Sequence, residues 1–171
     1  MSERIVTLKG DMKFTLGGTP VSAGDKATDV ALDKGFGNTF NLLADTAGKV
    51  RLVSVVPSID TGICAAQTKR MSEEASSAGD NTAFITVSAD LPPAQGRWAS
   101  ENGVDNVTLA SDHMSMAFGE AYGTTINELR MEQRAIFVID ADDNVSYAEY
   151  VPEIAQHPDY DAALAALKEA A

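Results

Sequence analysis

The sequence has little that could bind a metal or form a disulfide. Among its 171 residues there is one cysteine, Cys64, and there are two histidines, His113 and His157. A single thiol cannot form an internal disulfide, and the two histidines are far apart, without the spacing of a zinc site. We therefore expect no metal and no cofactor, and a chain of this kind suits a reducing compartment such as the cytoplasm.

Basic charge and long apolar runs are scarce as well. Lys and Arg number 13 against 25 Asp and Glu, which gives a formal net charge of −12. This charge repels phosphate backbones and anionic lipids, so neither nucleic acid nor a membrane is expected as a partner. The N-terminal residues lack the apolar segment of a signal peptide, and no run approaches the ~20 residues that span a bilayer. These features predict a soluble, cytoplasmic protein.

The remaining composition suits a folded domain, because 44% of the residues are hydrophobic. The length predicts one domain over residues 1–171. Apolar, β-branched runs predict buried strands, and amphipathic segments predict helices between them. The sequence thus predicts an α/β fold, with a central mixed sheet flanked by helices and an N-terminal β-hairpin. The expected hairpin spans residues 5–8 and 12–16, the buried strands 50–56, 82–88 and 134–140, and the helices 62–77, 94–102, 113–122 and 159–169.

Cys64 has a position that favours reactivity. It follows a predicted buried strand and falls in the first turn of a predicted helix, where the helix dipole and free N–H groups stabilise a thiolate. A lone cysteine is also often a small buried hydrophobic residue, and position alone leaves both interpretations open. The lack of a Cys-x-x-Cys pair excludes a dithiol of the thioredoxin type.

The pattern Pro57-x-x-x-Thr61-x-x-Cys64 resembles the active-site signature of the peroxiredoxins. The surrounding sequence is similar to one group of them, the bacterial thiol peroxidases, over almost the whole chain. The resemblance implies a thioredoxin-like fold of the peroxiredoxin type, and an enzyme that reduces hydrogen peroxide and organic hydroperoxides. The matching segments are residues 57–64, 88–92, 94–97, 134–140 and 158–164.

The resemblance also implies a role for each of four residues. Cys64 would attack the peroxide and become a sulfenic acid. Thr61 would offer its hydroxyl oxygen to the hydrogen bonds around thiolate and peroxide, and Pro57 would shield the sulfur from water. Arg134 would stabilise the thiolate and the charge that develops on the peroxide oxygens, since a guanidinium stays charged and supplies several donors.

The sequence departs from many thiol peroxidases in one respect, because the second, resolving cysteine of those enzymes is missing. Its expected position is near Ala99, in the helix after the 88–92 segment. We therefore expect an external reductant for oxidised Cys64, which could be thioredoxin, glutaredoxin or a low-molecular-weight thiol. Whether the second cysteine is naturally absent or was replaced stays open. The resemblance further implies a homodimer with its interface near the active site.

Two other functions remain possible at this stage. A peroxide-sensing switch protein would undergo the same oxidation but would not turn over with thiol donors. A non-catalytic binding module with a thioredoxin fold would contain an ordinary thiol, and its role would survive a Cys64→Ser substitution.

Overall fold

A computed structural model describes residues 2–171 and contains a seven-stranded mixed sheet with an N-terminal hairpin, as predicted. The strand order in the main sheet is β11-β10-β5-β6-β7-β3-β4. The strands are β1 (Ile5–Leu8), β2 (Met12–Thr15), β3 (Ala31–Gly35), β4 (Asn38–Asn41), β5 (Val50–Val55), β6 (Thr82–Ser88), β7 (Thr108–Ser111), β8 (Thr125–Ile126), β9 (Met131–Glu132), β10 (Ala135–Ile139) and β11 (Val145–Tyr150). The α-helices are α1 (Gly62–Ser77), α2 (Pro92–Asn102), α3 (Ala117–Tyr122) and α4 (Tyr160–Ala170), and Ala44–Thr46 forms one 3₁₀ turn.

The centre of the sheet consists of β5, β6 and β10, whose β-branched and aromatic residues favour strands. All six residues of β5 and all five of β10 are buried, because helices or loops cover both faces. Side chains of α1, α2 and α4 pack on one face, around Met71, Trp98 and Leu167. Phe118 and Tyr122 of α3 pack on the other face. The predicted layer arrangement is therefore confirmed.

Strand directions bring three chain segments to one edge of the sheet. Strands β5 and β6 run parallel, so both end at this edge, whereas β10 runs antiparallel to β5 and begins there. Val55 pairs with Ala135 across β5 and β10, and Val56 donates its N–H to the carbonyl of Val87 at the end of β6. The residues that follow β5 and β6 and those that precede β10 consequently meet.

Helix α3 is shorter than the 113–122 prediction. It begins only at Ala117, because the Asp112 carboxylate accepts the N–H groups of Phe118 and Gly119 and Met116 has a left-handed backbone with φ of 54°. Helix α2 begins two residues earlier than predicted, with a proline in its first turn, a position where the missing N–H costs nothing. The short β8–β9 pair was not predicted.

Within residues 2–171, none of the helices is long and apolar enough to cross a membrane.

Candidate active site

Cys64 lies at the edge of the sheet described above, in the first turn of α1. Its side chain is 0% exposed. Strand β5 ends at this edge, and Pro57 is buried shortly after the strand. Thr61 is the N-cap residue of α1. The sulfur is thus close to the positive end of a 16-residue helix, which stabilises negative charge.

Arg134 contacts the Cys64 sulfur. Its Nη2 lies 3.4 Å from Sγ and also donates to the carbonyl oxygen of Ile154 at 2.9 Å, while Nη1 donates to Oε1 of Gln67 at 3.0 Å. The arginine is only 2% exposed, and its Nε has no hydrogen-bond partner among the described residues. A permanent positive charge is therefore held against a buried thiol, with one donor still free.

Gln67 orients this guanidinium. It lies one turn after Cys64 on α1, is 0% exposed, and its Nε2 donates to the Ser54 hydroxyl of β5 at 2.7 Å. The amide is thereby fixed with its oxygen toward Arg134. Sequence reasoning assigned no role to Gln67, although it is one of the four buried residues of α1, together with Cys64, Thr68 and Met71.

Thr61 is exposed, and its hydroxyl donates to the carbonyl oxygen of Ser58 at 3.0 Å. It makes no side-chain capping bond to α1. Because the hydroxyl hydrogen is used on Ser58, the oxygen keeps its capacity to accept a hydrogen bond.

Asp90 fixes the loop between β5 and α1. It follows β6, and its carboxylate accepts the Ser58 hydroxyl at 2.8 Å, the Ile59 N–H at 2.7 Å and the Ser88 hydroxyl at 2.6 Å. Three donors on one carboxylate make strong, directional contacts. On the solvent side, Arg97 of α2 forms an ion pair of 3.0 Å with Asp60 in the same loop. Sequence reasoning included these residues in the matching segments but gave them no function.

Tyr160, at the start of α4, is a further neighbour of the site. Burial raises the pKa of its phenol, whereas the charges of Arg134 and Arg70 act to lower that pKa. Its hydroxyl lies 2.7 Å from Nδ1 of His157. The charge of Arg134 thus acts on Tyr160, which belongs to the matching segment 158–164 but was given no function by sequence reasoning.

Ala99, the position expected for a resolving cysteine, lies in α2 and packs, partly buried, against the apolar core beneath α1, α2 and α4. The only cysteine of the chain is Cys64. No group of three or more His, Cys, Asp and Glu side chains within residues 2–171 is arranged to hold a metal ion.

The arrangement has the components of a thiol-based nucleophile, and known proteins share its fold and sequence. The redoxin family model matches residues 22–164. Thiol peroxidases of Bacillus subtilis and Staphylococcus aureus are each 48% identical to the chain over 165 and 164 residues, which is 95% of this chain and 96% and 97% of those proteins. The crystal structure of a peroxiredoxin-like protein from Aquifex aeolicus superposes with a TM-score of 0.88 at 33% identity and covers 98% of both chains. A thiol peroxidase from Chromobacterium violaceum has the same fold, with a TM-score of 0.84 at 22% identity over 98% of this chain and 97% of that one.

The chain therefore belongs to the redoxin family of thioredoxin-like proteins. Within that family it is a thiol peroxidase of the peroxiredoxin type, an enzyme that uses thiols to reduce peroxides.

Proposed function

We propose that Cys64 is the residue that reacts with the peroxide, and that both hydrogen peroxide and organic hydroperoxides are substrates. The observation that carries this proposal is the 3.4 Å contact between Arg134 Nη2 and the Cys64 sulfur. Attack of the thiolate on the terminal oxygen forms an S–O bond and breaks the O–O bond. Cys64 is oxidised to a sulfenic acid, and the leaving oxygen takes a proton and departs as an alcohol or as water.

The other site residues support this step. The guanidinium of Arg134, held in contact with the Cys64 sulfur, is a fixed positive charge beside the position where negative charge develops on a peroxide oxygen, and such a charge lowers the barrier. The Thr61 hydroxyl donates its hydrogen to the Ser58 carbonyl, so its oxygen can accept the O–H of the peroxide. The buried ring of Pro57 excludes water from the sulfur, which strengthens both interactions.

The sulfenic acid requires an external reductant in this chain. A first thiol, from thioredoxin, glutaredoxin or a low-molecular-weight compound, attacks the oxidised sulfur, forms a mixed disulfide and releases water. A second thiol attacks the mixed disulfide, releases a disulfide and restores Cys64. The single cysteine supports this sequence of steps, because no second thiol of the same chain can take part.

We further propose that residues 1–171 form one domain, that the enzyme acts in the cytoplasm, and that it is a homodimer. A cavity of about 720 Å³ next to the active-site loop supports the dimer. Its lining includes three exposed apolar side chains: Phe36 is 100%, Met114 75% and Leu91 58% exposed. Leu91 directly follows Asp90, so this surface borders the loop that carries Thr61. Sedimentation of the wild type against a Phe36→Asp variant tests the assignment, since loss of the dimer is expected only if the patch is the interface.

Thiol-dependent consumption of cumene hydroperoxide tests the catalytic proposal. The wild type is expected to turn over repeatedly with dithiothreitol or a thioredoxin system, and Cys64→Ser is expected to be inactive. Rapid oxidation without turnover for any thiol would indicate a peroxide sensor instead. Full activity of Cys64→Ser would exclude Cys64 as the reacting residue.

A further inference from the structure

Two carboxyl groups, those of Glu132 and Asp112, lie together in the interior beside α3. Glu132 is 0% and Asp112 2% exposed, and both carboxyl groups lie against Gly119. The Gly119 N–H donates to Asp112 Oδ2 at 2.9 Å, and the two Glu132 oxygens lie 2.9 and 3.1 Å from the position that a Cβ of residue 119 would take. Among the ion pairs of residues 2–171, none involves either of them. Two buried carboxyl groups in contact do not both ionise, because like charges repel strongly where water is excluded. One proton held between the two groups therefore stabilises the contact.

The surrounding donors assign that proton to Glu132. Both Asp112 oxygens already accept backbone N–H groups, Oδ1 from Phe118 at 3.0 Å and Oδ2 from Gly119 at 2.9 Å. Glu132 Oε2 accepts the Thr124 hydroxyl, but its Oε1 receives no donor from the described residues. A proton on Glu132, donated to Asp112, satisfies this otherwise unpaired oxygen.

The electrostatic surroundings agree with the geometry. Burial raises the pKa of Glu132 well above its ordinary value, and the hydrogen bond to Asp112 and the negative charges of Asp112 and Glu120 act in the same direction. The Thr124 hydroxyl acts in the opposite direction. The groups that act on Glu132 are thus Asp112 from the segment before α3, Glu120 from α3 and the Thr124 hydroxyl next to β8.

Glu132 is closely connected to the catalytic arginine. It ends β9 and stands two residues before Arg134, which lies in the two-residue connection between β9 and β10. Between them, Gln133 donates its N–H to the carbonyl of Thr124 at 2.6 Å and its side-chain amide to the carbonyl of Val151 at 3.0 Å. Val151 in turn donates its N–H to the carbonyl of Arg134 at 2.9 Å. Because these hydrogen bonds hold the chain between the two residues, a displacement of the Glu132 backbone also displaces Arg134.

We propose that Glu132 is a positioning residue for the peroxidase reaction. As a neutral carboxylic acid bound to Asp112, it fixes the segment from which Arg134 reaches the Cys64 sulfur. This inference rests on the proposed roles of Cys64 and Arg134. Glutamine is the conservative replacement, because its amide can donate to Asp112 and accept from Thr124. Alanine removes both contacts and leaves Asp112 without a side-chain partner.

The first test compares the rate at which cumene hydroperoxide oxidises Cys64 in the wild type, E132Q, E132A and the control E169Q. The control makes the same substitution at an exposed residue of α4, and all rates are measured well below the unfolding temperature of each variant. E132Q and E169Q are expected to react within about twofold of the wild type, and E132A about tenfold more slowly, which is ~1.4 kcal/mol in the barrier. A merely structural role would lower the stability of E132A but leave its rate unchanged, and that result would overturn the proposal.

The second test observes the proton and does not depend on activity or on the folding of E132A. Carboxyl ¹³C NMR of glutamate-labelled protein at pH 7 is expected to show one protonated glutamate in the wild type and in E169Q, and none in E132Q. Ionisation of every glutamate at pH 7 would overturn the proposal. If Cys64 instead fails to react with peroxide in the wild type, the proposed function fails, and NMR still decides the state of Glu132.

Discussion

Nη2 of Arg134 lies 3.4 Å from the sulfur of Cys64, although 70 residues separate them in the sequence. The antiparallel pairing of β10 with β5 produces this contact, because it sets the start of β10 beside the end of β5. The guanidinium is fixed before a peroxide arrives, since Gln67 and the Ile154 carbonyl hold two of its nitrogens. Fixed charge of this kind needs no reorganisation during the reaction.

Replacement of Arg134 by alanine should slow the oxidation of Cys64 by hydroperoxide about 100-fold, the usual cost of losing a donor to developing charge. Replacement by lysine should restore only part of the rate, because one ammonium cannot contact Cys64, Gln67 and Ile154 in the same geometry. Stopped-flow measurement of the peroxide reaction checks both variants. Arg130→Ala is the matched control, because Arg130 is exposed and should leave the rate unchanged. An unaltered rate in Arg134→Ala would show that the contact has no catalytic role.

Replacement of Asp90 by asparagine should loosen the loop between β5 and α1. An amide has one acceptor oxygen for the three donors that now reach the carboxylate, so we expect a loss of about 2 kcal/mol in the free energy of unfolding. The peroxide reaction should slow as well, because Ser58 also accepts the Thr61 hydroxyl. Urea unfolding and stopped-flow kinetics measure the two effects. Asp60→Asn, which removes an exposed ion pair, should cost less than about 1 kcal/mol. Equal effects of the two substitutions would contradict the role of Asp90.

Excess hydroperoxide without a thiol should inactivate the enzyme irreversibly. The chain has one cysteine, so no internal thiol competes with a second peroxide for the sulfenic acid. Intact mass should show a gain of two or three oxygens on Cys64, and activity should not return on addition of dithiothreitol. Dithiothreitol present from the start should prevent the change. Full recovery after prolonged exposure would indicate that another group protects the sulfenic acid.

Stability should depend on pH through Glu132. Its native pKa is raised above the unfolded value of 4.5, so the native protein binds more protons than the unfolded chain once the pH exceeds about 4.5. The free energy of unfolding contributed by this group therefore falls as pH rises toward the native pKa, by up to ~1.4 kcal/mol per pH unit. Glu132→Gln has no such proton to lose, so its stability relative to the wild type should increase over this range. Urea unfolding at several pH values, followed by the fluorescence of the buried Trp98, measures the difference. A constant difference across the range would show that Glu132 ionises normally.

Much of the fold could be predicted from local patterns of apolar, polar and turn-forming residues in the sequence. The bounds of α1 and β6 agree with the predicted 62–77 and 82–88, because each segment has one clear period and ends at turn-forming residues. Helix α3 was predicted too long, since the pattern did not show that the Asp112 side chain would take the N–H groups that a longer helix would have used internally.

The site was predictable only in part. The motif and the family resemblance predicted four site residues, which are Pro57, Thr61, Cys64 and Arg134. The burial of Gln67 and Thr68 in α1 was not predicted, because the apolar pattern that locates a buried helix face gives no weight to polar residues whose hydrogen bonds are satisfied inside the protein. Asp90 and the Glu132–Asp112 pair depend on contacts between distant segments, and no local pattern encodes them.

The central claim, that Cys64 is an activated nucleophile toward peroxides, is tested most directly by intact-mass analysis. Reduced protein is mixed with one equivalent of cumene hydroperoxide in the presence of a sulfenic acid trap and sampled within seconds, with Cys64→Ser as the control. The account predicts a rapid gain of one oxygen, or of one trap adduct on Cys64, in the wild type alone. An unchanged wild-type mass after several minutes would contradict it and show that Cys64 is an ordinary thiol.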